Sequence, residues 1–242
     1  MLNKCKEVKS DTRFYKVDLH IHTPASLDYG DKMITPEQIV TKAIENKLDL
    51  IAITDHNTVD KCYDVIKAAK NSKLVVLPGV EISGQGGTQG IHVLALFDYD
   101  APKDRILNML DRIGITFEKK GKYEALTECQ LTVVLDEIQK AGGIAIAAHA
   151  DQTRGLIHDL GDQQLTTIVH SIKLYGLEVV HKETSQAFDG TNPNYKRKLS
   201  CIQNSDAHSL SEIGCRTTNI RMDKPSLEGL RKAFLNQELR IE

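Results

Sequence analysis

Six histidines recur along nearly the whole chain, each at or just beyond the end of a short apolar run of strand character. The settings are Val17-Asp18-Leu19-His20-Ile21-His22, Leu50 to Thr54 before Asp55-His56, Ile91-His92-Val93-Leu94, Gly143 to Ala148 before His149, and Cys201 to Ser205 before Asp206-Ala207-His208. Carboxylates arrive at matching places: Asp28, Glu81 within Pro78-Gly79-Val80-Glu81, and Asp206. Few folds can bury such runs and still bring their polar ends together. Strand ends converging on one rim of a barrel would gather these groups into a single polynuclear metal site.

Helix-period segments separate the runs. Thr35-Pro36 reads as a cap and a first-turn proline, followed by Ile39, Val40, Ala43 and Ile44 on one stripe to about Asn46. Similar spacing predicts helices over about 58–70, around Ile106 to Ile113, over 127–140 with Gly142-Gly143 as its stop, near 162–173, and after Ser226. Strands are expected at 50–54, at 74–77 where Pro78-Gly79 would end the run, and at 91–97, 143–148, 176–180, 199–204 and 239–241. Gly84 to Gly90 reads as a hairpin tip, and its glycines lack the strand–helix spacing of a phosphate loop. Continuous apolar strands alternating with helices predict an α/β protein with a parallel sheet covered by helices. With 242 residues and no repeat, linker or low-complexity tract, residues 1–242 read as a single domain.

Bulk composition removes several function classes. A formal net charge of −2 gives no basic field for nucleic acid or an anionic membrane. Aromatic residues at 5%, without tryptophan, disfavour an extended surface that stacks single-stranded bases. No run approaches the roughly 20 apolar residues of a membrane span. Met1 to Ser10 carries Lys4, Lys6 and Lys9 but no apolar stretch, so no signal peptide is read there. Five scattered cysteines without CxxC spacing point to the reducing cytoplasm, and away from both a disulfide framework and a thiolate zinc site.

His20-Ile21-His22 alternates across a strand, so its two imidazoles share a face about 6.6 Å apart and can clasp one ion. Asp206-Ala207-His208 repeats that i, i+2 logic independently. Together these segments, from about Lys16 to Asn219, resemble the polymerase and histidinol phosphatase (PHP) domain. The motif D-L-H-x-H-T/S-x-x-S stands as Asp18-Leu19-His20-Ile21-His22-Thr23-Pro24-Ala25-Ser26, T-D-H as Thr54-Asp55-His56, and G-x-E as Gly79-Val80-Glu81. A later strand histidine matches His92, and the last motif is split between Ala148-His149 and Ser205-Asp206-Ala207-His208.

The resemblance implies a distorted (β/α)7, TIM-like barrel holding two or three divalent ions at the C-terminal ends of its strands. His20, His22, Glu81 and Asp206 would hold one ion, and Glu81 would share a second with His92 and His149. Asp28, His56 and His208 would hold a third. Leu27 stands where many members carry the acid, with Asp28 one place later and Asp31 as the alternative. Asp18 and Asp55 would orient imidazoles.

Nitrogen and oxygen donors without sulfur suit manganese, iron or zinc. Three such ions against Asp28, Glu81 and Asp206 leave an excess of roughly three positive charges, attractive to a phosphate. A metal-bridged hydroxide, from water whose pKa falls toward about 7, would attack in line. Glu81, Asp206 and His208 are the candidates for catalytic roles. Arg154, just beyond His149, is the first candidate to grip substrate phosphate, with Lys182 and Arg216 behind it. His158, His170 and His181 lack a motif and read as ordinary surface or core residues.

The expected activity is hydrolysis of a phosphate ester: a small phosphomonoester, a nucleotide or an oligonucleotide end. Alternatives are a histidinol-phosphate phosphatase or a non-catalytic metal-binding scaffold. A carbon–nitrogen hydrolase barrel would want a bridging lysine at a mid-chain strand end, and none stands there. Residues 98–142 leave room only for an ordinary connection or small lid, which argues against a close match to members acting on short RNA.

Overall fold

The computed structural model describes residues 12–87 and 89–241. The lysine-bearing start with Cys5, and Thr88 of the glycine-rich turn, lie outside the described residues. The first half of the chain runs β1 (Arg13–Ile21), α1 (Pro36–Glu45), β2 (Leu50–Ile53), α2 (Cys62–Ala69), β3 (Val75–Gly84), β4 (Ile91–Leu96) and α3 (Lys103–Arg112). The second half runs α4 (Leu131–Lys140), β5 (Ile144–Ala147), α5 (Leu156–Asp159), α6 (Asp162–Val169), β6 (Leu174–Glu178), β7 (Ser200–Ile202), β8 (Thr218–Met222), α7 (Leu227–Asn236) and β9 (Leu239–Ile241). The strands form one sheet in the order β7-β6-β5-β4-β3-β2-β1-β8-β9.

This sheet curls into a nearly closed barrel. Beyond β7 the chain returns to β1: His22 N–H donates to Ala207 C=O at 3.0 Å, and Leu19 N–H donates to Asn204 Oδ1 at 2.8 Å. Lower down, β8 pairs with the first half of β1. Both faces of the central strands are buried, which is why they read as continuous apolar runs. Along β2, Leu50 and Ala52 join the interior cluster while Ile51 and Ile53 pack against the helices. Each such side chain contributes ~1.5–3 kcal/mol of burial.

The sheet is mixed, not parallel as expected. β4 runs antiparallel to both β3 and β5, and β8 is antiparallel to β1 and β9. A hairpin at the glycine-rich turn reverses the chain, so no crossover helix separates β3 from β4. β3 also runs through Pro78-Gly79 instead of stopping there. It pairs with β2 up to Pro78 and with β4 from Gly79, so the proline's missing N–H falls where the strand changes partner. A Cβ at Gly79 would come within 2.9 Å of both Leu96 and Thr54.

A bulge sets up the site. Between Asp18 and Ile21, β1 gains one residue relative to β2. Val17 and Leu19 therefore face the interior below the bulge, whereas Ile21 packs outward above it. That change of parity aims His20 and His22 into the mouth of the barrel.

Candidate metal centre

All nine candidate ligands meet at this rim. Around the first pair, His20 Nε2 lies 3.1 Å from His22 Nε2, 3.4 Å from Glu81 Oε1 and 3.2 Å from Asp206 Oδ1. His22 Nε2 lies 3.5 Å from Glu81 Oε2 and 3.3 Å from Asp206 Oδ1. Glu81 Oε1 also meets His92 Nδ1 at 2.9 Å and His149 Nε2 at 3.0 Å. On the outer side, Asp28 Oδ2 meets His56 Nε2 at 3.1 Å and His208 Nε2 at 3.2 Å. Asp31 instead caps its own turn by accepting from Met33 N–H.

The donor set fits divalent ions. Donors about 2.1 Å from one ion at octahedral or tetrahedral angles lie roughly 3.0–3.4 Å apart, the spacing seen here. His92 gives a sharper test. Its Nε2 faces the carbonyl of Tyr123 at 3.1 Å, which can only accept, so Nε2 carries the proton. Burial lowers the pKa of this imidazole against the pull of Glu81, and its Nδ1 faces a Glu81 carboxylate oxygen at 2.9 Å. With Nε2 turned to the carbonyl, Nδ1 is the ring atom that would meet an ion shared with Glu81. His56 Nδ1 and Glu81 Oε2, 2.8 Å apart and buried, lack any aligned hydrogen-bond partner.

Charge follows the same pattern. Burial opposes ionisation of Glu81, yet His92, His20 and His56 hold its carboxyl well below the usual range. His20 is buried too, but Asp206, Glu178 and Glu81 hold its pKa well above that of a free imidazole. His22 goes the other way: burial, then repulsion from His56, drives it down to about 3.

Orienting partners stand behind the donors. His22 Nδ1 meets Ser26 Oγ at 2.9 Å, and Ser26 donates to Asp55 Oδ1 at 2.8 Å. Asp55 therefore acts on an imidazole through a hydroxyl, not directly as expected. Burial raises its pKa to about 6, against the hydrogen bonds it accepts. Asp18 corrects the expectation further. It orients no imidazole; it accepts Ser205 N–H at 3.0 Å and Gly214 N–H at 2.9 Å, tying the last ligand loop to β1. Glu178, at the end of β6, accepts from His20 Nδ1 at 3.0 Å. No motif marks it in the sequence, although it stands at a strand end as the candidate ligands do.

The segment 117–126 forms a strap across the rim. Gly121 N–H donates to His56 C=O, and Gly121 C=O accepts Leu27 N–H, each at 2.8 Å, so the strap fastens the Asp28 and His56 loops. Gly121 has φ of 74°, and a Cβ there would meet Ala25 O at 2.5 Å. Tyr123 contributes its carbonyl, a role that leaves no trace in side-chain pattern. Two candidate ligands also sit in left-handed backbone, His149 at φ 61° and Asp206 at φ 54°.

Above the cluster opens a mouth of about 170 Å³, lined by Tyr123 and Arg154 as well as by ligands. Arg154 Nη1 donates to the carbonyls of Gln89 at 2.6 Å and Tyr123 at 3.3 Å, and its guanidinium lies 4.8 Å from the Tyr123 ring centre. A larger cleft of about 380 Å³ beside β8 and α7 contains none of the candidate residues. Lys182 lines a different cleft with Cys201 and Leu239, and Arg216 donates to Ser205 C=O at 3.3 Å. His158 and His170 bond locally, to Asp159 and Thr166, and His181 Nε2 lies 3.1 Å from Gln152 Nε2.

A barrel whose strand ends converge on such a cluster defines a class, and the family comparison agrees with it. Residues 18–182 match the PHP domain and residues 195–239 the PHP-associated family. The chain belongs to the PHP family. It is 30% identical over 128 residues to a 5'-3' exoribonuclease of Haemophilus influenzae, an alignment covering 52% of this chain and 41% of that protein. It is 30% identical over 80 residues to a 3',5'-nucleoside bisphosphate phosphatase of Chromobacterium violaceum, covering 33% of this chain and 27% of that one. The chain thus spans less than half the length of these curated relatives. In fold it is similar to a two-domain protein of Bacteroides vulgatus containing a predicted PHP-like metal-dependent phosphoesterase. That likeness has a TM-score of 0.68 at 18% identity and covers 96% of this chain and 65% of that one. No helix among the described residues is long and apolar enough to cross a membrane.

Proposed function

We propose that this chain is a metal-dependent phosphoesterase, acting as one cytoplasmic domain on a small phosphomonoester, a nucleotide or an oligonucleotide end. The observation that carries the reading is Glu81: one buried carboxylate faced by His20, His22, His56, His92 and His149 beneath an open mouth. His20, His22, Glu81 and Asp206 would hold one ion, Glu81 with His92 and His149 a second, and Asp28 with His56 and His208 a third. Bound there, manganese, iron or zinc polarises phosphoryl oxygens and lowers the pKa of water.

The chain's own residues do the rest. Arg154 has no carboxylate within salt-bridge distance among the described residues, so its charge is left for an anion at the mouth. Two carbonyls and the Tyr123 ring pre-aim it, which reduces the entropy lost when it grips a phosphate. Glu81, Asp206 and His208 line the mouth, where they would take the catalytic roles on a bound phosphoryl group. The names of the exoribonuclease and bisphosphatase relatives support a nucleotide-sized phosphoester.

Purified protein supplied with Mn²⁺ should release p-nitrophenol from a phosphate monoester or diester, and chelation should abolish this. Arg154→Ala should raise KM roughly tenfold or more with a smaller change in kcat. A protein that binds Mn²⁺, Fe²⁺ or Zn²⁺ yet turns over no phosphomonoester, nucleotide or short oligonucleotide would sink the reading and favour the scaffold.

A further inference from the structure

We infer that Glu178 is a positioning residue for the metal centre and acts through His20. It is the last residue of β6 and only 2% exposed. One of its oxygens, Oε2, accepts from His20 Nδ1 at 3.0 Å and from Asn204 Nδ2 at 2.8 Å. Asn204 in turn accepts Leu19 N–H at 2.8 Å, so β6, the β7 loop and β1 are locked around this one oxygen. Among the described residues its sole ionic partner is His20.

A carboxylate accepting from Nδ1 leaves Nε2, which faces Glu81 and Asp206, as the ring atom that would bind an ion. A carboxylate behind an imidazole also strengthens that imidazole as a donor. His22 supplies the control inside the same tripeptide. It presents the same atom, Nε2, to the same carboxylates, but a neutral hydroxyl, Ser26 Oγ, stands behind it. The two halves of the clasp are therefore unequal, and His20 is the stronger one. Glu178 also brings a negative charge that the ligand set alone omits, moderating the excess positive charge of a loaded cluster. The inference needs metal binding at this rim but not the proposed hydrolysis.

The test is titration of metal-free protein with Co²⁺, followed by visible absorption. Glu178→Gln, nearly isosteric, should weaken the tightest Co²⁺ site about 10- to 100-fold and shift its visible bands. Turnover at saturating metal should fall less than affinity does. In a His20→Ala background the same substitution should add less than about a twofold loss, because its route is gone. Unchanged Co²⁺ affinity and spectrum in Glu178→Gln would overturn the inference, as would an undiminished loss in the His20→Ala background. If Glu178→Gln does not fold, Asn204→Ser is titrated instead: it frees Glu178 from its amide donor and keeps the charge. Weaker Co²⁺ binding then supports the inference and unchanged binding overturns it. Normal cobalt binding without hydrolysis of any phosphoester would defeat the proposed function and leave this inference standing.

Discussion

The two sides of the centre are built differently. His20, His22 and Glu81 have side chains at most 1% exposed, whereas Asp28 and His208 keep 31% and 27% of theirs in contact with solvent. The deep donors stand on β1, just past its end and on β3, and are backed by Glu178 and by the Ser26–Asp55 pair. The outer donors hang on loops: Asp28 beside the strap residue Gly121, and His208 with its N–H given to Glu212. Strands and buried acids pre-organise the deep half before any ion arrives, and the outer half leans on segments that can give. The deep half should load first and release last.

Substitution at the shared carboxylate is the most severe challenge to that contrast. Glu81→Gln removes the charge facing five imidazoles, and breaking a buried pair in this way costs ~3–5 kcal/mol. Metal content should collapse and turnover should fall by about 10³-fold or more. Turnover within tenfold (roughly 1.4 kcal/mol) of the parent would erase the special standing of the deep half. Asp28→Ala should be milder. It should lose about one equivalent of metal by elemental analysis and roughly 10- to 100-fold in rate while deep binding persists. Equal losses in the two variants would merge the halves into one unit.

Proton linkage sharpens the comparison. His56 is buried, but Glu81 and Asp28 raise its pKa to about 10, and His20, His149 and His208 are raised as well. Metal-free protein therefore holds a proton on His56 at neutral pH, and an ion bound there must displace it. Affinity should weaken as pH falls from about 8 to about 6, by up to roughly tenfold per unit for each proton released. His22, held down at about 3, should release none. Calorimetry in buffers of different ionisation heat counts the protons, and a count of zero would contradict this picture. The smallest effect belongs far from the rim. Ser226 caps α7 by accepting Gly229 N–H at 3.1 Å, so Ser226→Ala should cost ~1 kcal/mol in thermal unfolding and leave metal uptake unchanged.

Most of this centre was legible because side-chain type and strand position coincide at each ligand. Asp28, one residue past the place where many family members carry the acid, lies beside His56 and His208 as its spacing suggested. The sheet's direction was not legible, because fully buried antiparallel strands such as β4 lack the polar alternation that would betray them. The β1 bulge was hidden too: His20-Ile21-His22 reads the same whether or not the strand below it changes parity. Tyr123 escaped because it works through a backbone carbonyl. Glu178 escaped because a lone acid after an apolar run has many ordinary explanations, and only distance to His20 distinguishes this one.

The left-handed backbone at His149 and Asp206 has a practical outcome for engineering. Each holds a conformation that costs a residue bearing a Cβ roughly 1–2 kcal/mol and costs glycine almost nothing. Directed evolution that rewards heat tolerance alone would drift toward glycine or asparagine at these two codons and discard the ion-holding groups. Any thermostability campaign on this scaffold needs a metal-retention screen running beside it.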